Sequence, residues 1–270
     1  MANYKIDTPE MTFAIQFVKA ARERIRQAFQ AEIVTDWKQD ETPITAADRD
    51  INDRFIKAVR KEYPGYSILG EEASQPDASA EWAWVIDPID GTHAFILGAP
   101  LFTCCVSLLH NGMPELGVIY DPILDRLFYA QKGLGAYLGS QKLQVTTATT
   151  LNRQYVHLES LKTGNRWMMP MRQLLLEAGC IPVIYGASQY AAALTAMGRM
   201  AGAVYSQNCF WDGAAPYIIG TEAGAVITDL DGKPQRYDQP INGFILANPQ
   251  HHAQLLAMVQ ECAKTRTSTT

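Results

Sequence analysis

Residues 82–92 read Trp82-Ala83-Trp84-Val85-Ile86-Asp87-Pro88-Ile89-Asp90-Gly91-Thr92. The unbroken apolar run predicts a buried strand that stops at Asp87. Two carboxylates then stand three residues apart at its end. Pro88 stiffens the turn between them, and Gly91 allows close backbone approach and unusual φ. A short helix or turn beginning near Thr92 would point unsatisfied N–H groups at an anion. Hard oxygen donors beside an anion site suit Mg2+, which prefers carboxylates, waters and phosphate oxygens. The competing reading is a solvated turn whose aspartates cap the helix.

Upstream of this strand the pattern is mostly helical. Ala14, Phe17, Val18, Ala21, Ile25 and Phe29 recur at spacings of three and four and predict a helix over 9–31. Residues 36–43 read as a polar loop. A second helix starts near Thr45, carries Ile51, Phe55, Ile56 and Val59 on one stripe, and ends at Pro64-Gly65. A short strand at 67–69 runs into Gly70-Glu71-Glu72.

Downstream, residues 102–109 form a strand, followed by a meander. Gly112, Asp121-Pro122, Lys132-Gly133 and Gly139-Ser140 are the turn signals, with strands at 116–120, 127–130 and 136–138. From residue 155 the pattern changes to alternation. Strands are expected at 155–158, 182–185, 203–205, 226–228 and 244–247, and helices at 167–178, 188–200, 214–222 and 249–263. Alternation of this kind suggests stacked helix and sheet layers. The expected organisation is α+β, then α/β. Residues 1–145 form a lobe with an antiparallel sheet and most acidic site residues, and residues 146–270 form a second lobe supplying Asp212. The tail from Lys264 to Thr270 is polar and expected to fray.

Composition narrows the class. The chain has 270 residues, 47% hydrophobic and 19% charged, with a formal net charge of -5. A mildly acidic surface argues against non-specific nucleic-acid binding. The five cysteines, Cys104, Cys105, Cys180, Cys209 and Cys262, include no C-x-x-C pair and point to a reducing compartment. The N-terminus lacks the basic and apolar regions of a secretory signal, and no apolar run has the length of a membrane span. A cytoplasmic protein is expected.

Three further segments carry acidic residues. Glu71-Glu72 follows a short apolar strand, so strands ending side by side would set Glu71 next to Asp87. Trp211-Asp212-Gly213-Ala214-Ala215 opens an apolar helix, where Asp212 alone reads as an N-cap. Thr45-Ala46-Ala47-Asp48 has the spacing of a capping box.

In this order, Gly-Glu-Glu, Asp-Pro-Ile-Asp-Gly-Thr and Trp-Asp-x-Ala-Ala, the chain resembles the inositol monophosphatase superfamily across about residues 35 to 247. That superfamily includes inositol monophosphatases, histidinol-phosphate phosphatases and bisphosphate nucleotidases. The resemblance implies a layered αβαβα sandwich and direct Mg2+-dependent hydrolysis of a small phosphorylated metabolite. It implies two to three Mg2+ ions. Glu71, Asp87 and the Ile89 carbonyl would hold one, Asp87, Asp90 and Asp212 a second, and Glu71 with water a third. Gly91 and Thr92 would bind the phosphate through their N–H groups. Thr92, paired with Asp48, would orient the attacking water, with Glu72 assisting. Homodimerisation and lithium sensitivity are implied in the same way.

Departures from the family pattern bear on the substrate. Asp-Gly-Thr-Thr-Asn-Phe, frequent in the family, is here Asp90-Gly91-Thr92-His93-Ala94-Phe95, so His93 either meets the substrate or is an exposed first-turn residue. Inositol phosphatases often carry a Glu where this chain has Tyr205, and a Gly-Ser/Thr-Ala element where it has Gly186-Ala187-Ser188. The run Lys38-Gln39-Asp40-Glu41-Thr42-Pro43-Ile44-Thr45 looks more like the nucleotidase and histidinol-phosphatase branches. The first expectation remains an inositol-1-phosphate-like substrate, with histidinol phosphate or a 3'(2'),5'-bisphosphate nucleotide as alternatives. A non-catalytic regulatory binding protein on the same fold is the alternative of another class. Asp229-Leu230-Asp231-Gly232-Lys233 mimics a haloacid-dehalogenase motif and reads as a turn between late strands.

Overall fold

The computed structural model of the chain describes residues 4–6, 8–39, 42–159 and 167–267. Asp40 and Glu41 lie outside them. Helix α1 (Pro9–Gln30) starts where the Thr8 side chain accepts from the Met11 N–H and Pro9 presets the first turn. A hairpin follows, β1 (Thr35–Trp37) and β2 (Pro43–Thr45), then α2 (Ala46–Glu62) and β3 (Ser67–Gly70). β4 (Trp82–Asp90) leads into the short α3 (Thr92–Ile96). The meander comprises β5 (Thr103–His110), β6 (Met113–Asp121), β7 (Arg126–Gln131), β8 (Gly135–Leu138) and β9 (Gln141–Lys142).

The second half contains β10 (Tyr155–Glu159), α4 (Met169–Glu177), β11 (Ile181–Val183), α5 (Ser188–Ala196) and β12 (Gly202–Tyr205). It closes with α6 (Trp211–Glu222), β13 (Val226–Thr228), β14 (Phe244–Ala247) and α7 (Pro249–Thr267).

Strands β3 to β9 form a seven-stranded sheet in sequence order. Only its first pair, β3 and β4, is parallel. The second sheet has the order β11-β10-β12-β14-β13 and is mixed. Helices α1 and α2 cover the outer face of the first sheet, α5 and α6 lie between the sheets, and α4 and α7 cover the second. This is the layered αβαβα arrangement that the family resemblance implied. Among the described residues no helix is long and apolar enough to cross a membrane.

The two faces of β4 explain where the site sits. Strand side chains alternate between faces. Trp84 and Ile86 join the core under α1 and α2, where Phe13 and Phe55 pack their rings 5.1 and 6.2 Å from Trp84. Ala83 and Val85 face the other way, into the core shared with α6. Asp87 keeps that phase and therefore points toward the helices between the sheets. Gly117 on β6 lets α6 close in, because a Cβ there would lie 2.6 Å from Ile218 Cγ2.

Several elements differ from the sequence expectation. β4 runs on to Asp90, where an apolar run had predicted its end at Asp87. Its pairing with β5 shifts register between these two residues. Pro88, lacking an N–H, fits such an irregularity. The shift matters because residues three apart in a regular strand face opposite sides. The expected loop at 36–43 includes the β1–β2 hairpin, held by the buried residues Pro43, Ile44 and Thr45. Helix α6 starts three residues earlier than expected, so Asp212 lies inside its first turn. The residue at the cap, Phe210, makes no side-chain cap bond. α7 extends through Lys264 to Thr267, part of the stretch expected to fray. The Asp229–Lys233 segment is the turn expected: Asp229 Oδ1 accepts from the Asp231 and Lys233 N–H groups.

Candidate active site

The parallel pairing of β3 and β4 sets Gly70 opposite Ile86, and the Glu71 N–H donates to the Ile86 carbonyl at 3.2 Å. Glu71 thus leaves the sheet beside Asp87, as the sequence pattern predicted. The register shift brings Asp90 back toward the same side, and the first turn of α6 brings Asp212. Asp87, Asp90 and Asp212 each offer a carboxylate oxygen, and these oxygens all lie within 4.8 Å of one another.

Three consecutive residues opening α5 hold these carboxylates. The Ser188 hydroxyl is 3.1 Å from Asp212 Oδ1 and 3.3 Å from Asp90 Oδ1. Gln189 Nε2 donates to Asp87 Oδ2 at 2.7 Å. The Tyr190 N–H and the Thr103 hydroxyl donate to Asp90 Oδ2 at 3.1 and 3.0 Å. Tyr205, on β12, donates its hydroxyl to Asp212 Oδ2. The sequence reading named Ser188 and Tyr205 as substrate-side residues and did not find Gln189, Tyr190 or Thr103. Both Ser188 and Tyr205 are buried against the aspartates.

The electrostatics of the cluster are those of a cation site. Burial raises the pKa of Asp87, and Glu71, Asp212 and Asp90 add to it. Burial likewise raises Asp212, reinforced by Asp90, and pushes Asp90 up to about 6. Burial and Glu71 push Glu72 up to about 7. Lys38 Nζ lies 2.7 Å from both Glu71 Oε1 and Glu72 Oε1. Its burial opposes its charge, but the two carboxylates outweigh that and raise its pKa. Asp87 Oδ1 is buried and has no hydrogen-bond partner. A buried carboxylate oxygen without a donor, among acids that repel each other, fits a bound cation. The oxygen-only donor set fits a hard divalent ion.

Asp48 forms the capping box expected at the start of α2: its Oδ2 accepts from the Thr45 N–H, while the Thr45 hydroxyl accepts from the Asp48 N–H. Its Oδ1 is buried without a partner, and burial and Glu71 push its pKa up to about 6. The Thr92 hydroxyl donates to the Ile89 carbonyl at 3.1 Å. The pairing of Thr92 with Asp48 implied by the family is therefore not the hydrogen bond formed in this structure. Gly91 caps α3 with φ of 98°, and a Cβ there would stand 2.9 Å from Ala187 Cβ. It is the close contact that joins the β4 turn to the Gly186-Ala187-Ser188 segment.

A cleft of about 430 Å3 opens over the cluster. Lys38, Glu71, Asp87, Ile89, Asp90, Gly91, Thr92 and Asp212 line it, together with Gln39, Thr42, Gln207, Cys209 and Trp211. Lys38 is the one cation among these lining residues. His93 faces solvent and does not line the cleft. Gly186 is half-buried, one residue before the Gly91 contact with Ala187.

Converging carboxylates, a glycine-capped helix start and an open cleft beside them are the parts a metal-dependent hydrolase of phosphoric monoesters requires. The model of the inositol monophosphatase family matches residues 7–264, and the chain belongs to that family. A histidinol-phosphatase of Chlorobaculum parvum is 29% identical over 260 residues, 93% of this chain and 97% of that protein. A putative Nus factor SuhB of Neisseria meningitidis serogroup A is 30% identical, covering 89% of this chain and 94% of its own. The solved structure of a Thermotoga maritima IMPase superposes with a TM-score of 0.85 at 25% identity, covering 96% and 99% of the two chains.

Proposed function

We propose that this phosphatase is Mg2+-dependent and releases phosphate from a small phosphorylated metabolite by direct attack of water. The observation that supports it is the convergence of Asp87, Asp90 and Asp212 beside the Gly91–Thr92 turn in one cleft. Glu71, Asp87, Asp90, Asp212 and the Ile89 carbonyl would hold two to three Mg2+ ions. Bound there, Mg2+ supplies Lewis acidity and the positive charge that an anionic substrate needs among carboxylates. The Gly91 and Thr92 N–H groups, at a helix start, bind phosphate oxygens. Thr92 and Asp48 would orient the water, and the unpartnered Asp48 Oδ1 would take its proton. Glu72 assists through the same acidic group. No side chain is required as a nucleophile.

The substrate read first from the sequence is inositol-1-phosphate-like. A second reading, histidinol phosphate, gains from Tyr205. Its hydroxyl is tied to Asp212 and its ring is sealed, so no carboxylate stands at that position to accept from a ring hydroxyl. His93 and Gly186, which do not line the cleft, would meet only a substrate that extends beyond it. A cytoplasmic location is carried over from the cysteine pattern and composition, homodimerisation and lithium sensitivity from the family resemblance, and a relative named as a Nus factor supports a regulatory binding role. The test is turnover of inositol 1-phosphate, histidinol phosphate, 3'-phosphoadenosine 5'-phosphate and fructose 1,6-bisphosphate, with Mg2+ and with chelator. Mg2+-dependent phosphate release from at least one is expected. Release from none overturns the proposal, and the ranking of kcat/KM assigns the substrate.

A further inference from the structure

We infer that Gln189 is a positioning residue that sets the Asp87 carboxylate for cation binding, an inference resting on the reading of Asp87 as a metal ligand. Gln189 is the second residue of α5, whose sequence Ser-Gln-Tyr-Ala-Ala-Ala-Leu-Thr-Ala is otherwise dominated by small and apolar side chains. It is fully buried. Its Nε2 reaches Asp87 Oδ2 at 2.7 Å, across 102 residues of sequence.

The other end of the amide argues for the role. Gln189 Oε1 is buried with no hydrogen-bond partner. A buried, unpaired carbonyl is costly, and an apolar side chain of the same length would avoid the cost. What the glutamine provides that such a residue would not is the N–H pointed at Asp87.

That N–H acts on one oxygen only. Asp87 Oδ2 is engaged by the amide, while Oδ1 is buried and without a partner. The bond therefore fixes the rotation of the carboxylate and leaves Oδ1 free of a hydrogen-bond donor, available to a cation. An amide is also a donor that does not titrate, so it holds the carboxylate equally at any working pH. Ser188 and the Tyr190 N–H, on either side, hold Asp212 and Asp90. With Gln189 included, the first turn of α5 addresses all three converging carboxylates. Groups that orient metal ligands in this way typically change metal affinity by about 10- to 100-fold when removed.

The experiment titrates Mg2+ into metal-stripped wild type, Gln189→Met and Asp87→Asn by isothermal calorimetry, with thermal unfolding of each metal-free protein followed by circular dichroism. Gln189→Met keeps the length of the side chain and removes the amide. Its Mg2+ affinity is expected to fall about tenfold or more. A wild-type or tighter affinity in Gln189→Met, with binding lost in Asp87→Asn, overturns the role of Gln189 and leaves the metal reading standing. Wild-type affinity in Asp87→Asn overturns the metal reading itself. A lowered melting temperature with unchanged affinity marks a purely structural glutamine and overturns the proposal. Should Gln189→Met fail to fold, Gln189→Asn keeps an amide one methylene short of Asp87, and wild-type Mg2+ affinity in that variant overturns the proposal equally.

Discussion

The Tyr205 hydroxyl donates to Asp212 Oδ2, while Ser188 sits on Asp212 Oδ1, so both oxygens of this carboxylate have a donor before any cation arrives. Tyr205 is buried and its ring stacks on Phe244 at 5.1 Å. Tyr205→Phe keeps the ring and removes only the hydroxyl. Because the hydroxyl touches Asp212, kcat should fall roughly tenfold while KM for the substrate changes little, as for a lost hydrogen bond to a charged group. Steady-state kinetics decide: a rise in KM with kcat intact would instead make Tyr205 a substrate contact.

Asp90→Asn and Asp212→Asn should each reduce kcat by about a hundred- to a thousandfold, because each removes a charge from the cluster at the position where the reaction needs it. Asp90 is buried and Asp212 half-buried, and the amide preserves the shape of each. The melting temperature of the metal-free variants should hold or rise, since a repelling carboxylate has gone. Wild-type turnover in either variant at saturating Mg2+ contradicts the assignment.

Asp48 has two jobs that separate experimentally. Its Oδ2 closes the capping box with Thr45, and its Oδ1 is unpartnered. Thr45→Ala removes half of the box and should cost about 1 kcal/mol of stability. For a chain of this size that is a melting shift of roughly 2–4 °C, with activity largely kept. Asp48→Asn should lose most activity beyond any such shift. Equal, small effects on activity in both variants would reduce Asp48 to a cap.

The pH dependence has a definite sign. Asp48 and Asp90 are raised to about 6 from 3.8, and Glu72 to about 7 from 4.5. The metal-free folded chain therefore holds these protons to higher pH than the unfolded chain does. Their contribution to stability is fully present below the unfolded values and is lost as pH rises through about 6 to 7. Asp50 and Asp125, held down by Arg54 and by Tyr120, act in the opposite sense at lower pH. The melting temperature of metal-free protein should fall between about pH 5 and about pH 7.5. Saturating Mg2+ should remove the fall, since the cation favours the ionised carboxylates. A flat metal-free profile would contradict the burial of the cluster.

Much of this was legible because it is periodic or punctuated. The apolar run before Asp87, the stripes of α1 and α2 and the glycine turns of the meander each announce themselves within a few residues. What was not legible depends on tertiary context. The register shift that carries β4 to Asp90 is set by its pairing with β5, and the β1–β2 hairpin by the burial of Pro43 to Thr45. Gln189 and Tyr190 gave no signal because a polar residue in an Ala-rich helix has no spacing of its own. The partners they meet lie about 100 residues upstream. The aspartates could be read from their motifs, whereas the donors that hold them could be found only from the fold.

Gly91 and Gly98 flank α3 and make a matched pair. Both have positive φ, 98° and 72°. A Cβ on Gly91 would also stand 2.8 Å from the Leu101 carbonyl and 2.9 Å from Ala187 Cβ, whereas a Cβ on Gly98 would meet nothing within 4 Å. Gly98→Ala therefore isolates the backbone strain, about 1–2 kcal/mol for a left-handed residue, and should keep activity because α3 and the cleft stay in place. Gly91→Ala adds a clash with backbone that has no flexible end to yield. Relief requires moving the Gly186-Ala187 segment away from the β4 turn, and with it Ser188, which holds Asp90 and Asp212. Its melting temperature should fall further than that of Gly98→Ala, and phosphatase activity should be lost in the fraction that remains folded. Thermal unfolding together with turnover per folded molecule measures both. Equal stability and equal activity in the two variants would show that the contact between the β4 turn and the start of α5 does not shape the site.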